Sequence, residues 1–302
     1  MSLKEHLLAV AEELQRLKGE GIASVAVDET TLESLRAIAG PAKREAPQPV
    51  VTHAVVAKPV RDVPVLAPMP APPPRPREPA PPPPAEVNLP AGTKREQFDW
   101  LVAQVMGNPG CIRHVRPGKK VVVGVGNLDA KIMFVGEAPG AEEEIQGEPF
   151  VGPAGQLLNK MIKAMGIERG DVYIGNIMNW RPEMESGHGG EQIGNRPPTA
   201  EEMTFCLPYL RAQIGIVKPE VLVALGGTAA KGLLGADAVP TIGAVKGRWH
   251  DFGGTPLMIT YHPSYLLRSQ SNRSKRSVWE DLLKVMERVG LSISQKQRGF
   301  FL

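Results

Sequence analysis

Downstream of residue 130, short apolar runs alternate along the chain with longer stretches whose apolar positions recur at helical spacing. The short runs predict buried strands at 131–135, 171–177, 220–225 and 257–260. The longer stretches predict helices at 155–165, 199–217, 228–234 and 278–289. Short strands separated by helices indicate a parallel sheet covered on both faces. The predicted fold class is therefore α/β, with three layers (α/β/α) around a short central sheet.

The first 40 residues have a different pattern. Residues 2–18 carry apolar side chains at helical spacing, with Ser2 and Glu5 placed as a capping box, and residues 30–39 predict a second short helix. Two short helices bury little surface, so they form either a partner-binding hairpin or a local cap on the main domain.

Proline separates these helices from the rest of the chain. The sequence has 30 prolines, twice the average share of about 5%, and most of them lie between residues 41 and 90. Missing amide donors favour an extended polyproline geometry there, which predicts a spacer; the alternative is a docking site for a proline-reading module. The predicted units are a helical segment at 1–40, a disordered linker at 41–90 and the main domain at 91–302.

Composition narrows the classes of function. The formal net charge of +3 over 302 residues is too small to indicate nucleic-acid binding by itself. No apolar run of about 18 residues exists, and the N-terminus does not resemble a signal peptide, so we expect a cytoplasmic protein with no membrane partner. The two cysteines, Cys111 and Cys206, exclude a disulfide framework and an all-cysteine metal site within one chain.

Candidate chemistry lies in the loops that follow the strands, because ligands of such sheets bind at the carboxyl ends of the strands. The relevant segments are 136–155, 176–182, 226–228 and 261–268. The first combines glycines and prolines with the carboxylates of Glu137 and Glu143, and it matches neither a Walker loop nor a dinucleotide fingerprint. A carboxylate there either orients a water and stabilises positive charge or belongs to a solvated acidic loop.

Three further side chains suit a planar base. Phe150 is either core or a stacking surface, and Asn176 either satisfies loop backbone or presents its carboxamide to a pyrimidine edge. His262 either donates to a substrate carbonyl or caps its loop. Together with the acidic loop, these groups at successive loop positions favour a site for a single base.

These segments resemble the family-four uracil-DNA glycosylases over roughly residues 124–283, most specifically in Gly-Glu-Ala-Pro-Gly from Gly136 and Pro-Phe-Val-Gly-Pro-Ala-Gly from Pro149. The resemblance implies that Glu137 and His262 are catalytic, Glu137 acting on water and His262 on a carbonyl of the leaving base. It also implies a group of residues that bind the base: Gly136, Ala138, Glu143, Phe150 and Asn176. Phe150 would stack on the extruded uracil, and Asn176 would read its Watson–Crick edge.

The same resemblance implies contact with DNA from the last two loops. A base must leave the duplex to reach any pocket, and Leu266 and Leu267 are placed to fill the vacated stack, with Arg268 on a flanking phosphate. The alternative is that these leucines simply begin a helix. Ser264 belongs to the same surface, and the amides of Gly227 and Thr228 either bind a backbone phosphate or are explained by helix capping through Thr228.

The sequence departs from the family at its four-iron, four-sulfur cluster. Cys111 and Cys206 match two of the four expected cysteines, but Trp180 stands at a third position. We expect no cofactor and no metal, and we expect local packing that includes Trp180 to replace the cluster. The alternative is that His114 or His188 supplies a missing ligand of the cluster. A glycine-rich insertion at 184–195 predicts a mobile surface loop.

The expected function is that of a uracil-DNA glycosylase in base excision repair. We expect a monofunctional enzyme, which does not cleave the strand, because no lysine stands out as a Schiff-base nucleophile. Its partner is uracil-containing DNA, with a possible protein partner at the N-terminal helices or the linker. Two alternatives remain open: a catalytically silent DNA-binding module and a nucleoside hydrolase. Basic residues beyond the leucines favour a polyanionic substrate or form a solvated face. They are Arg268, Arg273, Lys275 and Arg276.

Overall fold

The computed structural model describes residues 86–184, 192, 194–269 and 271–302. The helices predicted at 2–18 and 30–39, nearly all of the predicted linker and most of the predicted insertion lie outside these residues. Among the described residues, no helix combines the length and apolar character needed to span a membrane.

A six-stranded sheet forms the centre of the fold. Its strands are β1 (Val125–Gly126), β2 (Ile132–Gly136), β3 (Tyr173–Asn176), β4 (Val221–Leu225), β5 (Trp249–Phe252) and β6 (Thr255–Thr260). They lie in the order β1-β3-β2-β4-β6-β5. The four inner strands are parallel, and the two edge strands pair antiparallel to their neighbours. The predicted parallel sheet is thus confirmed for its four inner strands.

Helices connect and cover these strands. They are α1 (Lys94–Gly107), α2 (Pro109–Arg113), α3 (Ala141–Gln146), α4 (Pro153–Ala164), α5 (Ala200–Val217), α6 (Gly227–Leu234), α7 (Ile242–Val245), α8 (Pro263–Arg268), α9 (Asn272–Arg288) and α10 (Gln295–Arg298). A short 3-10 helix, Arg169–Asp171, precedes β3. Helix α5 begins behind Thr199 in a complete capping box with Glu202, as the sequence predicts.

Both faces of the sheet are buried, which explains why the inner strands are continuous apolar runs. Alternate side chains of β2 enter different clusters: Phe134 packs with α4 and α9, while Met133 packs with α5 and α6. The alternation repeats in β4, where Val223 and Leu222 face opposite sides. The three-layer α/β/α architecture is therefore confirmed.

A third apolar cluster joins α1 and α2 to the side of α5. Val87 and Leu89 pack against it, and Pro90 O accepts from Gln97 Nε2 at 2.9 Å. Residues just before the predicted boundary at 91 therefore pack on the main domain, and the predicted division of the chain stays a prediction.

Several elements differ from the sequence-based prediction. The strand predicted at 171–177 is reduced to Tyr173–Asn176 because the 3-10 helix takes its first residue. The helix predicted at 278–289 begins at Asn272, since its first turn is polar and carries no apolar periodicity. The pattern also misses the edge strands and α1, in which only Leu101 and Val105 are buried.

Candidate active site

The carboxyl ends of the four inner strands form one edge of the sheet. The pairing aligns Gly136 at the end of β2 with Asn176 at the end of β3, and Leu225 at the end of β4 with Thr260 at the end of β6. The four loops singled out in the sequence therefore begin side by side, as the rule for parallel sheets predicts.

Gly136 is the point at which two of the predicted base-binding residues meet. A Cβ at this position would overlap both the Asn176 carboxamide oxygen and the Phe150 ring. Phe150 also faces His262, with the ring centroids 5.6 Å apart and the planes inclined by 32°. Glycine is required here because its missing side chain lets the arene and the amide approach each other.

Asn176 carries a polar atom without a partner. Its side chain is 6% exposed, and its Oδ1 is buried without any hydrogen bond. An unsatisfied buried acceptor costs about 1–3 kcal/mol, so Asn176 Oδ1, beside an aromatic ring, is a candidate acceptor for a donor on a ligand.

His262 has a defined tautomer. It is the N-cap of α8, where its Nδ1 accepts from the Ser264 amide at 3.1 Å and lies 2.8 Å from the Ser264 hydroxyl. Burial, with a smaller contribution from the Arg268 charge, lowers the pKa of His262 to about 4. The imidazole is therefore neutral at pH 7, with its proton on Nε2, and it offers one uncharged donor.

Glu137 lies at the start of the loop after β2. Burial raises the pKa of its carboxyl, and a hydrogen bond with the Thr228 side chain partly opposes that shift. Thr228 lies in the first turn of α6, and a Cβ at the N-cap of that helix, Gly226, would lie 3.1 Å from the Cβ of His262. The Glu137 carboxyl, hydrogen-bonded to Thr228 of α6, therefore lies at the same edge of the sheet as His262, whose ring faces Phe150. Gly136 separates the Phe150 ring from the Asn176 carboxamide.

Comparisons with known proteins identify the family of this chain. The model of the uracil DNA glycosylase superfamily matches residues 123–283. The chain belongs to this superfamily. It is 43% identical to the type-4 uracil-DNA glycosylase of Thermotoga maritima over 193 residues, which cover 64% of this chain and 94% of that enzyme.

Two more type-4 uracil-DNA glycosylases are similar to this superfamily member. The protein of Pyrobaculum aerophilum is 42% identical over 163 residues, covering 52% of this chain and 78% of the relative. The protein of Archaeoglobus fulgidus is 39% identical over 178 residues, covering 57% and 84%. Within the superfamily, the chain groups with type 4.

Glu143, predicted to be a further pocket carboxylate of this glycosylase fold, has both oxygens engaged by backbone amides. Oε1 accepts from Val151 at 3.0 Å and from Gly152 at 2.9 Å, and Oε2 accepts from Gly140 at 3.0 Å. The carboxylate therefore ties the two halves of the loop together, and its contact with a base stays a prediction.

Helix α8 separates the two leucines that were predicted to form a wedge in this glycosylase fold. Leu266 is 7% exposed and packs in the core, whereas Leu267 is 43% exposed. The helix turns Leu266 inward against α4 and α9 in this structure, and its predicted contact with DNA stays a prediction. Leu267 remains the candidate wedge, next to the exposed Arg268.

Capping by Thr228 is also excluded. The N-cap of α6 is Gly226, which has a φ of 95° and no side-chain cap. Thr228 lies inside the helix and its side chain contacts Glu137 instead. Phosphate binding by the amides of Gly227 and Thr228 stays a prediction.

The donor set does not fit the cluster that the family resemblance implies. Cys111 and Cys206 are both fully buried, and burial raises the pKa of the Cys111 thiol to about 12 and that of Cys206 well above its usual range. Trp180 fills the third position: its ring stacks on His114 at 4.8 Å and meets Phe205 edge-on at 5.6 Å. Among the described residues, no group of three or more metal-ligating side chains is assembled. His188 lies outside them.

The ends of the predicted insertion are held by a buried arginine. Arg181 Nη1 donates to Glu144 at 2.8 Å, and its other nitrogens donate to Gly194 O and Asn195 Oδ1, both at 2.7 Å. Arg116 also pairs with Glu144. This charge network fixes the residues on either side of the loop against α3.

One residue near the pocket escaped the sequence analysis. Arg169, in the 3-10 helix before β3, donates to the backbone carbonyls of Pro149 and Phe150. Contacts to carbonyl oxygens leave no side-chain motif in a sequence, so no signal there points to this arginine.

Proposed function

We propose that this chain is a monofunctional uracil-DNA glycosylase, which hydrolyses the bond between uracil and deoxyribose and leaves an abasic site for base excision repair. The observation that carries the proposal is the buried, unpaired Oδ1 of Asn176 beside the Phe150 ring. The type-4 relatives, which share 37–43% of aligned residues, support the same activity.

The proposed base site uses an arene and a carboxamide. Uracil presents an N–H donor between two carbonyl acceptors, so a carboxamide that offers one acceptor and one N–H group matches its edge. Asn176 would accept from that N–H through Oδ1, while the ring of Phe150 stacks on the base. Because the acceptor is already desolvated, a base that lacks the matching donor leaves it unpaired and binds less well.

The proposed chemistry divides between His262 and Glu137. Cleavage of the glycosidic bond places negative charge on the departing uracil and positive charge on the sugar. The neutral Nε2–H of His262 would donate to a uracil carbonyl as charge develops there. The Glu137 carboxylate would stabilise the sugar cation and orient the attacking water.

DNA would approach from the α6 and α8 side. Extruding the base costs a few kcal/mol, and Leu267 would occupy the vacated stack while Arg268 and Ser264 contact the flanking backbone. The amides of Gly227 and Thr228 would face a phosphate at the start of α6.

We propose that the enzyme contains no four-iron, four-sulfur cluster. The chain has two cysteines in total, and the Trp180 ring packs between His114 and Phe205 at the third position. We also propose that it works in the cytoplasm, where bacterial and archaeal DNA lies, and that the segment before residue 86 contacts a protein partner.

An assay of uracil release tests the proposed function. The full chain is incubated with single- and double-stranded oligonucleotides that contain one uracil, and abasic sites are then cleaved with alkali. We expect cleavage only after alkali, and release at least about 100-fold slower than wild type for Glu137→Gln and His262→Ala. Tight binding without turnover would indicate a silent binding module, and activity on free deoxyuridine alone would indicate a nucleoside hydrolase.

A further inference from the structure

Phe150 holds an unusual backbone conformation. Its φ is 55°, in the left-handed region that residues with a side chain rarely adopt. The next segment of chain lies directly against it, because a Cβ at Gly155 in α4 would overlap the Phe150 carbonyl. A conformation of this kind persists only where the surroundings impose it.

Two side chains of opposite charge impose it from either side. The Glu143 carboxylate accepts from the amides of Val151 and Gly152, which follow Phe150. The Arg169 guanidinium donates from Nη2 to Pro149 O at 2.7 Å and from Nη1 to Phe150 O at 3.2 Å. The strained residue is thus bracketed by hydrogen bonds to its own carbonyl, the preceding carbonyl and the two following amides.

Arg169 is itself fixed in place. Its Nη1 also donates to Asn159 Oδ1 at 3.0 Å, which ties the guanidinium to α4. The negative charges of Glu148 and Glu143 act on the same group. A rigid planar fork of this kind can serve two carbonyls at once, which a lysine ammonium does with less directional precision.

We propose that Arg169 is a positioning residue for the base pocket: by holding the carbonyls of Pro149 and Phe150 it keeps the Phe150 ring over Gly136 and against His262. The inference rests on the proposed function. Without the guanidinium, the backbone at Phe150 relaxes toward an ordinary conformation and the ring leaves the position in which it stacks on uracil. Arg169 thereby affects base binding and base removal but not the DNA-facing side chains of α6 and α8.

The test measures two properties of the pocket and one property of the DNA surface. Arg169→Gln and Arg169→Lys are compared with the wild-type chain for inhibition by free uracil, for the single-turnover rate of uracil release, and for affinity toward uracil-free DNA. We expect Arg169→Gln to weaken uracil inhibition about tenfold and to slow release about 10- to 100-fold. Arg169→Lys should fall between this variant and wild type, and affinity for uracil-free DNA should be unchanged.

The matched control is Arg298→Gln. Arg298 is an exposed arginine whose Nη1 contacts Glu287 Oε1 at 3.2 Å, away from the Phe150 loop. We expect wild-type values for all three measurements with this control variant.

A double-mutant cycle separates positioning from general destabilisation. In a Phe150→Leu background there is no ring for Arg169 to position. Arg169→Gln should therefore change inhibition by free uracil by less than about twofold in this background. Thermal melts accompany each variant; if Arg169→Gln is unfolded at the assay temperature, the same cycle is run with Arg169→Lys.

Two results would overturn the inference. One is an active wild-type enzyme whose Arg169→Gln variant matches it both in inhibition by free uracil and in the rate of uracil release from DNA. The other is an equal loss with and without the Phe150 ring. A wild-type chain that releases no uracil would instead refute the proposed function, and with it this inference.

Discussion

Burial shifts the pKa values of Glu137 and His262, two titratable side chains of the candidate site, in opposite directions. It raises the pKa of Glu137 and lowers that of His262, so in both cases it favours the uncharged form. For His262 this supplies a neutral donor across the physiological range. For Glu137 it means that the carboxylate, which the chemistry requires, is lost at a higher pH than for an exposed glutamate.

The acid limb of the pH–rate profile should therefore report on Glu137. We expect single-turnover uracil release to decline as pH falls, with a midpoint above the ordinary glutamate pKa of about 4.5. Glu137→Gln should lower the rate at pH 7 by about 100- to 1,000-fold and abolish that limb in the residual activity. An unchanged limb in the variant would show that another group causes it.

His262 should couple folding stability to pH. Its folded-state pKa of about 4 lies below the ordinary value of 6.5, so the unfolded chain binds the proton first. The stabilisation is complete above pH 6.5 and is lost as pH falls toward 4, on the order of 1–2 kcal/mol for a partly exposed ring.

His262→Asn isolates this effect, because asparagine keeps a side-chain acceptor at the N-cap of α8 but does not titrate. We expect its melting temperature to fall less than that of wild type between pH 7 and 4, while uracil release drops at least about 100-fold at pH 7. Parallel melting curves for the two proteins would contradict the lowered pKa of the histidine.

At the scale of elements, α8 combines a core residue and a surface residue in adjacent positions. Leu266→Ala should lower the free energy of unfolding by about 2–5 kcal/mol, because it leaves a cavity against α4 and α9. Leu267→Ala should leave the melting temperature unchanged but slow uracil release from duplex DNA about tenfold, with a smaller effect on single strands. Equal behaviour of the two variants in melts and assays would remove the wedge assignment.

The inner strands and their helices were predictable because strands buried on both faces of the sheet, such as β2, β4 and β6, have continuous apolar runs in the sequence. The edge strand Trp249–Phe252 alternates exposed and partly buried residues and carries two charged or titratable side chains, so no comparable signal marks it. Candidate site residues that belong to a motif, such as Glu137 and His262, could be named from the sequence, and their roles stay predictions. Arg169 could not, since it acts on backbone carbonyls, and the inward turn of Leu266 depends on the packing of α8.

At the scale of the whole molecule, aromatic packing occupies the place where the family resemblance implies a metal cluster. Cys111 and Cys206 belong to the same buried apolar cluster as Trp180, and burial favours the protonated thiol of each. Such thiols are poor ligands and poor nucleophiles.

We therefore expect the purified chain to contain less than about one iron per molecule and to remain folded and active after treatment with a chelator. Iron and sulfide assays, with absorption near 400 nm as a second readout, check this. About four iron and four sulfide per chain would refute it.

The central claim is that the unpaired Oδ1 of Asn176 is reserved for the N–H of an extruded uracil. Asn176→Leu removes that acceptor and keeps the number and branching of the side-chain heavy atoms, so it tests the claim most directly through uracil release measured beside a thermal melt. We predict a melting temperature equal to or above that of wild type, because the substitution removes a buried acceptor that has no partner. We also predict a rate of uracil release lower by at least about 100-fold. Retention of wild-type release by a folded Asn176→Leu protein would contradict the claim.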